Sequence, residues 1–263
     1  MRGEEIKTGT EVIRAGTKLS AAKIGLLGAV GVGQVKVSKK PTIALLATGS
    51  ELVEPETKLA PGKIFESNRQ MLATALAGIG AIPTLFPLVP DAPGATRDAL
   101  ERGFQQADAV ITSGGVSVGD YDFVKSAFEK LGGKLNFWKV AVKPGKPFVF
   151  GRLGDKFLFG LPGNPVSAFV TFMLLVRPAL LRWQGATDIY LARHSGVLAE
   201  TLTNRAERRH FMCVRIGQGG EVSSSGLQAS HAIMALGQAD GLVDVPPGST
   251  LAAGTAVEVL RFE

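Results

Sequence analysis

Residues 107–119, ADAVITSGGVSVG, decide how this chain is read. Residues 107–112 read as a strand. It runs into a loop with glycines at 114, 115 and 119 and serines at 113 and 117. A helix pattern follows at 122–131. Upstream, Thr42–Ala47 (TIALLA) is a short apolar run, the pattern of a buried parallel strand, and ends in Thr48-Gly49-Ser50-Glu51. Ser67-Asn68 then offers an N-cap for RQMLATALAGIG, with apolar residues at 71, 72, 75, 76 and 79. A strand at 82–87 and a helix at 95–105 complete the approach. Downstream come strands at 137–142, 148–150 and 157–159, then a long apolar helix, 165–183, with Pro165 in its first turn. Strands alternating with helices predict an α/β fold, an open and mostly parallel sheet with flanking helices, over residues 41–180.

Gly185-Ala186-Thr187 marks a boundary. Beyond it, short alternating runs and Gly-Gly or Pro-Pro-Gly turns predict a small C-terminal β-barrel-like domain at 181–263. Residues 1–40, with EVIRAGTKL and AKIGLLGAVGVGQVKV, read as strands and turns: a partial N-terminal β segment, the end of a β-rich domain.

Composition narrows the function. Among 263 residues, 45% are hydrophobic and 20% charged, which excludes intrinsic disorder. The net charge of +6 is concentrated in residues 1–40, where basic residues stand singly without interleaved aromatics. That is a solvated basic face rather than a nucleic-acid platform. One cysteine, Cys213, excludes a disulfide framework and a cysteine-based zinc site. The apolar stretch 168–176, stopped by Arg177, is short of a membrane span, and the N-terminus lacks the pattern of a signal peptide. A soluble cytoplasmic protein is the expectation, with no nucleic acid and no membrane among its partners.

Open α/β sheets bind ligands where strand C-termini meet loops. The loops Thr48–Leu52 and 113–119 bring hydroxyls and glycine backbone to one edge, where successive N–H groups can cradle an anion. Each alone reads equally well as an ordinary turn; two on one edge favour a ligand. Neither fits a phosphate-binding P-loop or a dinucleotide fingerprint. Lys139 and Lys143 flank Val140-Ala141-Val142. On an extended strand, positions four apart face the same side, so both ammoniums would face one anion. Lys146 and Pro147 follow in the same Lys-Pro-Gly-Lys-Pro turn. Gly160-Leu-Pro-Gly-Asn-Pro-Val-Ser167 pins a loop before the long helix, whose first N–H groups are open to an anion. Glu51, Asp91, Asp120 and Asp122 lie near these loops and suit a hard divalent cation beside a phosphate.

Taken together and in order, TGSEL, SNRQML, SGGVSVGDYD, KVAVKPGKPFVFG and GLPGNPVSAFVTF closely resemble the molybdopterin molybdenumtransferase family, whose eukaryotic relatives include the gephyrin E domain. The resemblance covers the whole chain and is strongest over 41–180. It implies the molybdopterin-binding fold. It implies a reaction in which adenylated molybdopterin and molybdate are the substrates, Mg²⁺ promotes cleavage of the phosphoanhydride, the dithiolene takes up molybdenum, and AMP leaves. It implies catalytic roles for Glu51, Asp91, Asp122, Lys139 and Lys143, with Asp91 and Asp122 holding the metal. The ligand site it implies takes Thr48, Gly49, Ser50, Ser113, Gly114, Gly115, Ser117 and Gly119 from the glycine loops. Lys146, Pro147, Pro162, Pro165, Ser167, Arg208 and Ser230 complete that site around the oxyanion. The family often has a second arginine where this chain has Cys213, with Arg215 two residues later. The chain resembles a C-terminal part of family members, which carry further acidic residues in an N-terminal half. On that ground it is expected to bind ligand but turn over poorly. The resemblance also implies a homodimer and an encounter with the molybdopterin adenylyltransferase protein.

Two readings compete. The related adenylyltransferase shares the α/β domain, but Val116-Ser117 and Tyr121-Asp122 depart from its pattern and it lacks the C-terminal β domain. A non-catalytic binding or scaffold module of the same fold is the other.

Overall fold

The computed structural model describes residues 3–116 and 123–262. The N-terminal segment differs from expectation. Helix α1 (Ala21–Ala29) stands where strands were expected, and no strand precedes Thr42 among the described residues. The reason is local. The Ser20 side chain accepts from the Lys23 N–H, which caps a run of alanines and leucines. Most of the valines that suggested strands follow residue 29, where the chain has no regular secondary structure.

β1 (Thr42–Ala47) explains the main domain. Side chains alternate across it, and both sides are apolar. Ile43 and Leu45 enter one core with Leu72, Leu76, Phe172 and Val176. Ala44 and Leu46 enter another with Leu100, Phe104 and Phe128. A strand buried on both faces needs helices on both. After the short parallel pair β2 (Leu52–Val53) and β3 (Ile64–Phe65) comes α2 (Asn68–Gly78), which covers the first face. β4 (Ile82–Leu85) follows, then α3 (Pro93–Gln106), β5 (Ala109–Ser113) and α4 (Phe123–Lys130). α3 and α4 cover the second face. β6 (Lys134–Lys139), the short β7 (Val142–Lys143), β8 (Pro147–Leu153) and β9 (Lys156–Leu161) come next. The sheet runs β4-β1-β5-β9-β8-β6, parallel from β4 to β9 and antiparallel thereafter.

α5 (Pro165–Thr171) and α6 (Arg177–Trp183) are joined by a π-helical turn, Phe172–Val176. Pro178 has no N–H to return to residue 174, and the wider turn absorbs that loss. The 19-residue rod is apolar enough to cross a membrane by length and composition. Here it is a core helix, with Phe172, Val176 and Leu180 fully buried against the sheet.

Ser67 stands at the N-cap of α2 but makes no side-chain cap bond. Glu66 does that work instead, accepting the Arg69 N–H at 2.9 Å. Its other oxygen pairs with the Arg69 guanidinium at 2.9 Å, both side chains about 95% buried. Arg69 also reaches Glu54 at 2.7 Å and donates to the Phe86 carbonyl. One buried cation thereby ties β2, α2 and the end of β4 together.

The C-terminal domain comprises β10 (Arg193–Leu198), β11 (Leu202–Thr203), β12 (Arg209–Ile216), β13 (Glu221–Ser224), α7 (Ile233–Gly237), β14 (Gly241–Val245), β15 (Thr250–Leu251) and β16 (Ala256–Arg261). Five strands, β13-β10-β16-β14-β12, close on themselves through the β12–β13 pairing, around Met212, Val214, Val222 and Val259. β7, from the α/β part of the sequence, adds to this barrel by pairing with β12.

Candidate active site

Two loops meet at the C-terminal ends of β1 and β5. The chain leaves β1 for α2 on one face and leaves β5 for α4 on the other, which opens a crevice between them. Thr48 donates its N–H to the Ser113 carbonyl at 3.0 Å. Gly114 has φ +89°, and a Cβ there would stand 2.5 Å from the Thr48 carbonyl oxygen, so only glycine fits. Gly115 lies against Thr48 Oγ1 in the same way. On the Thr48 side, the Ser50 N–H donates to Asp91 Oδ2 at 2.8 Å, and the Asp91 N–H donates back to Ser50 Oγ at 2.9 Å. The Glu51 carboxylate folds over Gly49. Glu51 and Asp91 therefore flank one turn. Ser117, Gly119, Asp120 and Asp122 lie outside the described residues.

Asn68 connects this crevice to the rest of the site. Its amide donates to Ser113 Oγ and to the Gly163 carbonyl, both at 2.7 Å. It was read from the sequence only as part of a cap. Nothing in its local pattern shows that it bridges residues 45 and 95 positions away.

Beyond Gly163 a cleft of about 290 Å³ opens between the α/β domain and the barrel. Seven expected residues line it: Lys143, expected as catalytic, and Lys146, Pro147, Pro162, Ser167, Arg208 and Ser230, expected in the ligand site. Pro165 starts α5 just behind it and is not in its wall. The three cations, Lys143, Lys146 and Arg208, face no carboxylate among the lining residues. Arg208 is oriented by donating to the Val142 carbonyl at 2.7 Å. The domains are latched beside it. The Asn164 amide donates to Ser230 Oγ at 3.2 Å, and the Val166 N–H donates to the Ser230 carbonyl at 3.1 Å. That second bond uses a helix N–H expected to be open to an anion.

The lysine pair is corrected. Lys139 and Lys143 do not share one strand: β6 ends at Lys139, and Val142–Lys143 join the barrel sheet instead. Lys139 is exposed over the Trp138 ring, while Lys143 enters the cleft. The chain bends at 140–141, so the period-2 argument does not carry across. Arg215 is exposed, pairs with Ser223 in β13 and is not in the cleft wall; Cys213 occupies the wall itself. Burial pushes the Cys213 thiol up to about 11, so it is un-ionised at neutral pH.

His210 was not expected from the sequence. It is 4% exposed, pairs in register with Lys143, and its Nδ1 has no hydrogen-bond partner. Burial, reinforced by Lys143 and Arg208, lowers its pKa to about 4. At neutral pH it adds no charge. Between its unfolded value and about 4, the unfolded chain binds the proton that the folded chain refuses. Stability therefore falls as pH drops through that window, by up to roughly 3 kcal/mol. His210→Phe is expected to flatten the melting temperature between pH 6.5 and 4; an unchanged slope would show that the loss arises elsewhere.

The fold and site together define an open α/β domain with a cation-lined cleft against a closed β-barrel. Residues 44–182 match the family described as a probable molybdopterin binding domain, and residues 195–262 match the MoeA C-terminal region (domain IV). The chain belongs to this family. It is 39% identical to molybdopterin molybdenumtransferase 2 of Mycobacterium tuberculosis, over 98% of this chain and 65% of that protein. It is also 39% identical to molybdopterin molybdenumtransferase of Haemophilus influenzae, over 87% of this chain and 58% of that one. The crystal structure of the MoeA molybdopterin biosynthesis protein of Pyrococcus horikoshii superposes with a TM-score of 0.84 at 32% identity, covering 96% of this chain and 62% of that one. The chain thus spans under two thirds of the length of these relatives.

Proposed function

We propose that this chain acts in molybdenum cofactor biosynthesis, as a molybdopterin molybdenumtransferase. Adenylated molybdopterin lies along the Thr48–Ser113 crevice and molybdate enters the cleft. Molybdenum passes to the dithiolene and AMP leaves. One observation carries this reading: three cations converge on the cleft wall with no carboxylate among them, one latched asparagine away from a glycine-lined sheet edge. Molybdate is a tetrahedral dianion, and lysine and arginine side chains supply both charge and donors to it. The glycine backbone at 114 and 115 lets a phosphate approach closely.

Glu51 and Asp91 offer hard oxygen ligands at the Gly49–Ser50 turn, next to where that phosphate would lie, and they suit Mg²⁺. Asp122 is proposed as a further ligand from the resemblance. Among the described residues no cluster of three or more metal-ligating side chains forms, so the substrate phosphate has to complete the set. When bound, the metal would offset charge on the pterin-side phosphate of the anhydride. Lys143, Lys146 and Arg208 meanwhile hold the oxyanion. A homodimer, contact with the molybdopterin adenylyltransferase protein and a cytoplasmic setting belong to the same proposal.

Calorimetric titration of adenylated molybdopterin tests it, with and without molybdate and magnesium. The expected result is saturable binding that tightens with magnesium, together with slow AMP release that depends on molybdate. Binding indifferent to both ions would favour a scaffold role. Adenylate synthesis from ATP and molybdopterin would favour the adenylyltransferase.

A further inference from the structure

Trp138 is 40% exposed on β6, the last strand of the α/β sheet. Two ammoniums converge on its ring. Lys125 Nζ lies 3.9 Å from the ring centroid and Lys139 Nζ 4.8 Å. Neither lysine forms an ion pair with a described residue. Each gains from the indole face, but two like charges on one ring repel each other. A group that is anionic at one end and flat and aromatic at the other would relieve both conditions.

The placement fits such a group. Lys125 sits in the first turn of α4, directly downstream of the glycine-loop segment. Lys139 pairs across β8 with Pro147, a wall residue of the oxyanion cleft. β6 runs parallel in sense to β9, β5 and β1, so Trp138 stands at the same end of the sheet as Thr48 and Ser113. Phe137 anchors the strand beneath it, its ring 5.8 Å from that of Phe148 and 5.6 Å from that of Phe150. Trp138 stands on the edge strand, one strand out from β8, whose Pro147 is in the cleft wall, and three out from β5.

We propose that Lys125, Trp138 and Lys139 form a nucleotide platform: the base of a purine nucleoside 5′-phosphate stacks on the indole and its phosphate lies against the two ammoniums. Stacking on an exposed ring reads no base edge, which suits the part of a substrate that departs. The inner crevice, where Asn68 Oδ1 and Thr48 Oγ1 are buried without partners, suits a ring that must be read by hydrogen bonds. The proposal rests on the functional reading above and assigns its nucleotide half to residues.

The chain has two tryptophans, Trp138 and Trp183, so Trp183→Phe leaves Trp138 as the sole fluorescent reporter. Titration of that variant with AMP should quench its emission saturably. In the full chain, Trp138→Leu should weaken AMP about tenfold by calorimetry, the size expected of one lost base stack. Trp138→Phe, which keeps a ring, should recover most of that loss, and Lys125→Ala with Lys139→Ala should weaken AMP further. Ribose 5-phosphate should bind more weakly than AMP. Equal AMP binding by Trp138→Leu and wild type, or a reporter that does not respond to saturating AMP, overturns the platform while molybdate binding in the cleft keeps the functional reading standing. Quenching by a simple pterin but not by AMP overturns the nucleotide assignment. Failure of the wild-type chain to bind either AMP or molybdate overturns both.

Discussion

Lys143→Glu is expected to abolish molybdate binding, with at least an about 100-fold rise in the dissociation constant. Lys143 is one of three cations in a cleft wall that contains no acid. The substitution removes a donor and places a carboxylate against the dianion. Losing one partner of a buried charge pair costs about 2–5 kcal/mol, and repulsion adds to it. Lys143→Ala should show the smaller, attractive part alone. Because the cleft opens to solvent, added salt should weaken the wild-type interaction and narrow the gap between variants. Arg193→Ala, which breaks an exposed ion pair with Glu258 on the barrel, serves as the control and should bind as wild type. Undiminished molybdate binding by Lys143→Glu would remove the cleft from the mechanism.

Arg69→Met is expected to destabilise the fold by about 3–5 kcal/mol. Arg69 and Glu66 are each about 95% buried in the side chain, and Glu54 is 54% exposed. Taking away the guanidinium leaves the buried Glu66 carboxyl without its cation and frees the Phe86 carbonyl. The measurement is the urea midpoint at neutral pH. The double change Arg69→Met with Glu66→Leu should be less destabilised than the single one, because no buried charge is then left uncompensated. Equal loss in both would mean that the network contributes through shape rather than charge.

Much of the architecture is legible without coordinates, for identifiable reasons. TIALLA and AVITS are strands of apolar and small hydroxyl residues without a charge, the kind of run that a parallel sheet covered on both faces hides. The glycines at 114 and 115 sit where backbone crowds Thr48, so their presence signals a close approach before the neighbour is known. The charged half of the site is legible in kind, since Lys143, Lys146 and Arg208 do meet. The N-terminal segment was misread because its valines suggest strands while its start is capped as a helix by Ser20. The lysine pair was misread because a bend at 140–141 hands Lys143 to the other sheet.

Local pattern was enough for the strand and helix order of the α/β part and for the meeting of its two glycine loops at one sheet edge, because these follow from neighbours within a few residues. The convergence of 143–147, 162–167, 208–213 and 227–235 on one cleft was settled only by packing the barrel on the sheet. So were the bridging role of Asn68, the neutrality of His210 and the two ammoniums over Trp138. Each depends on groups distant in sequence being desolvated together, and no periodicity along the chain encodes which distant partner that will be.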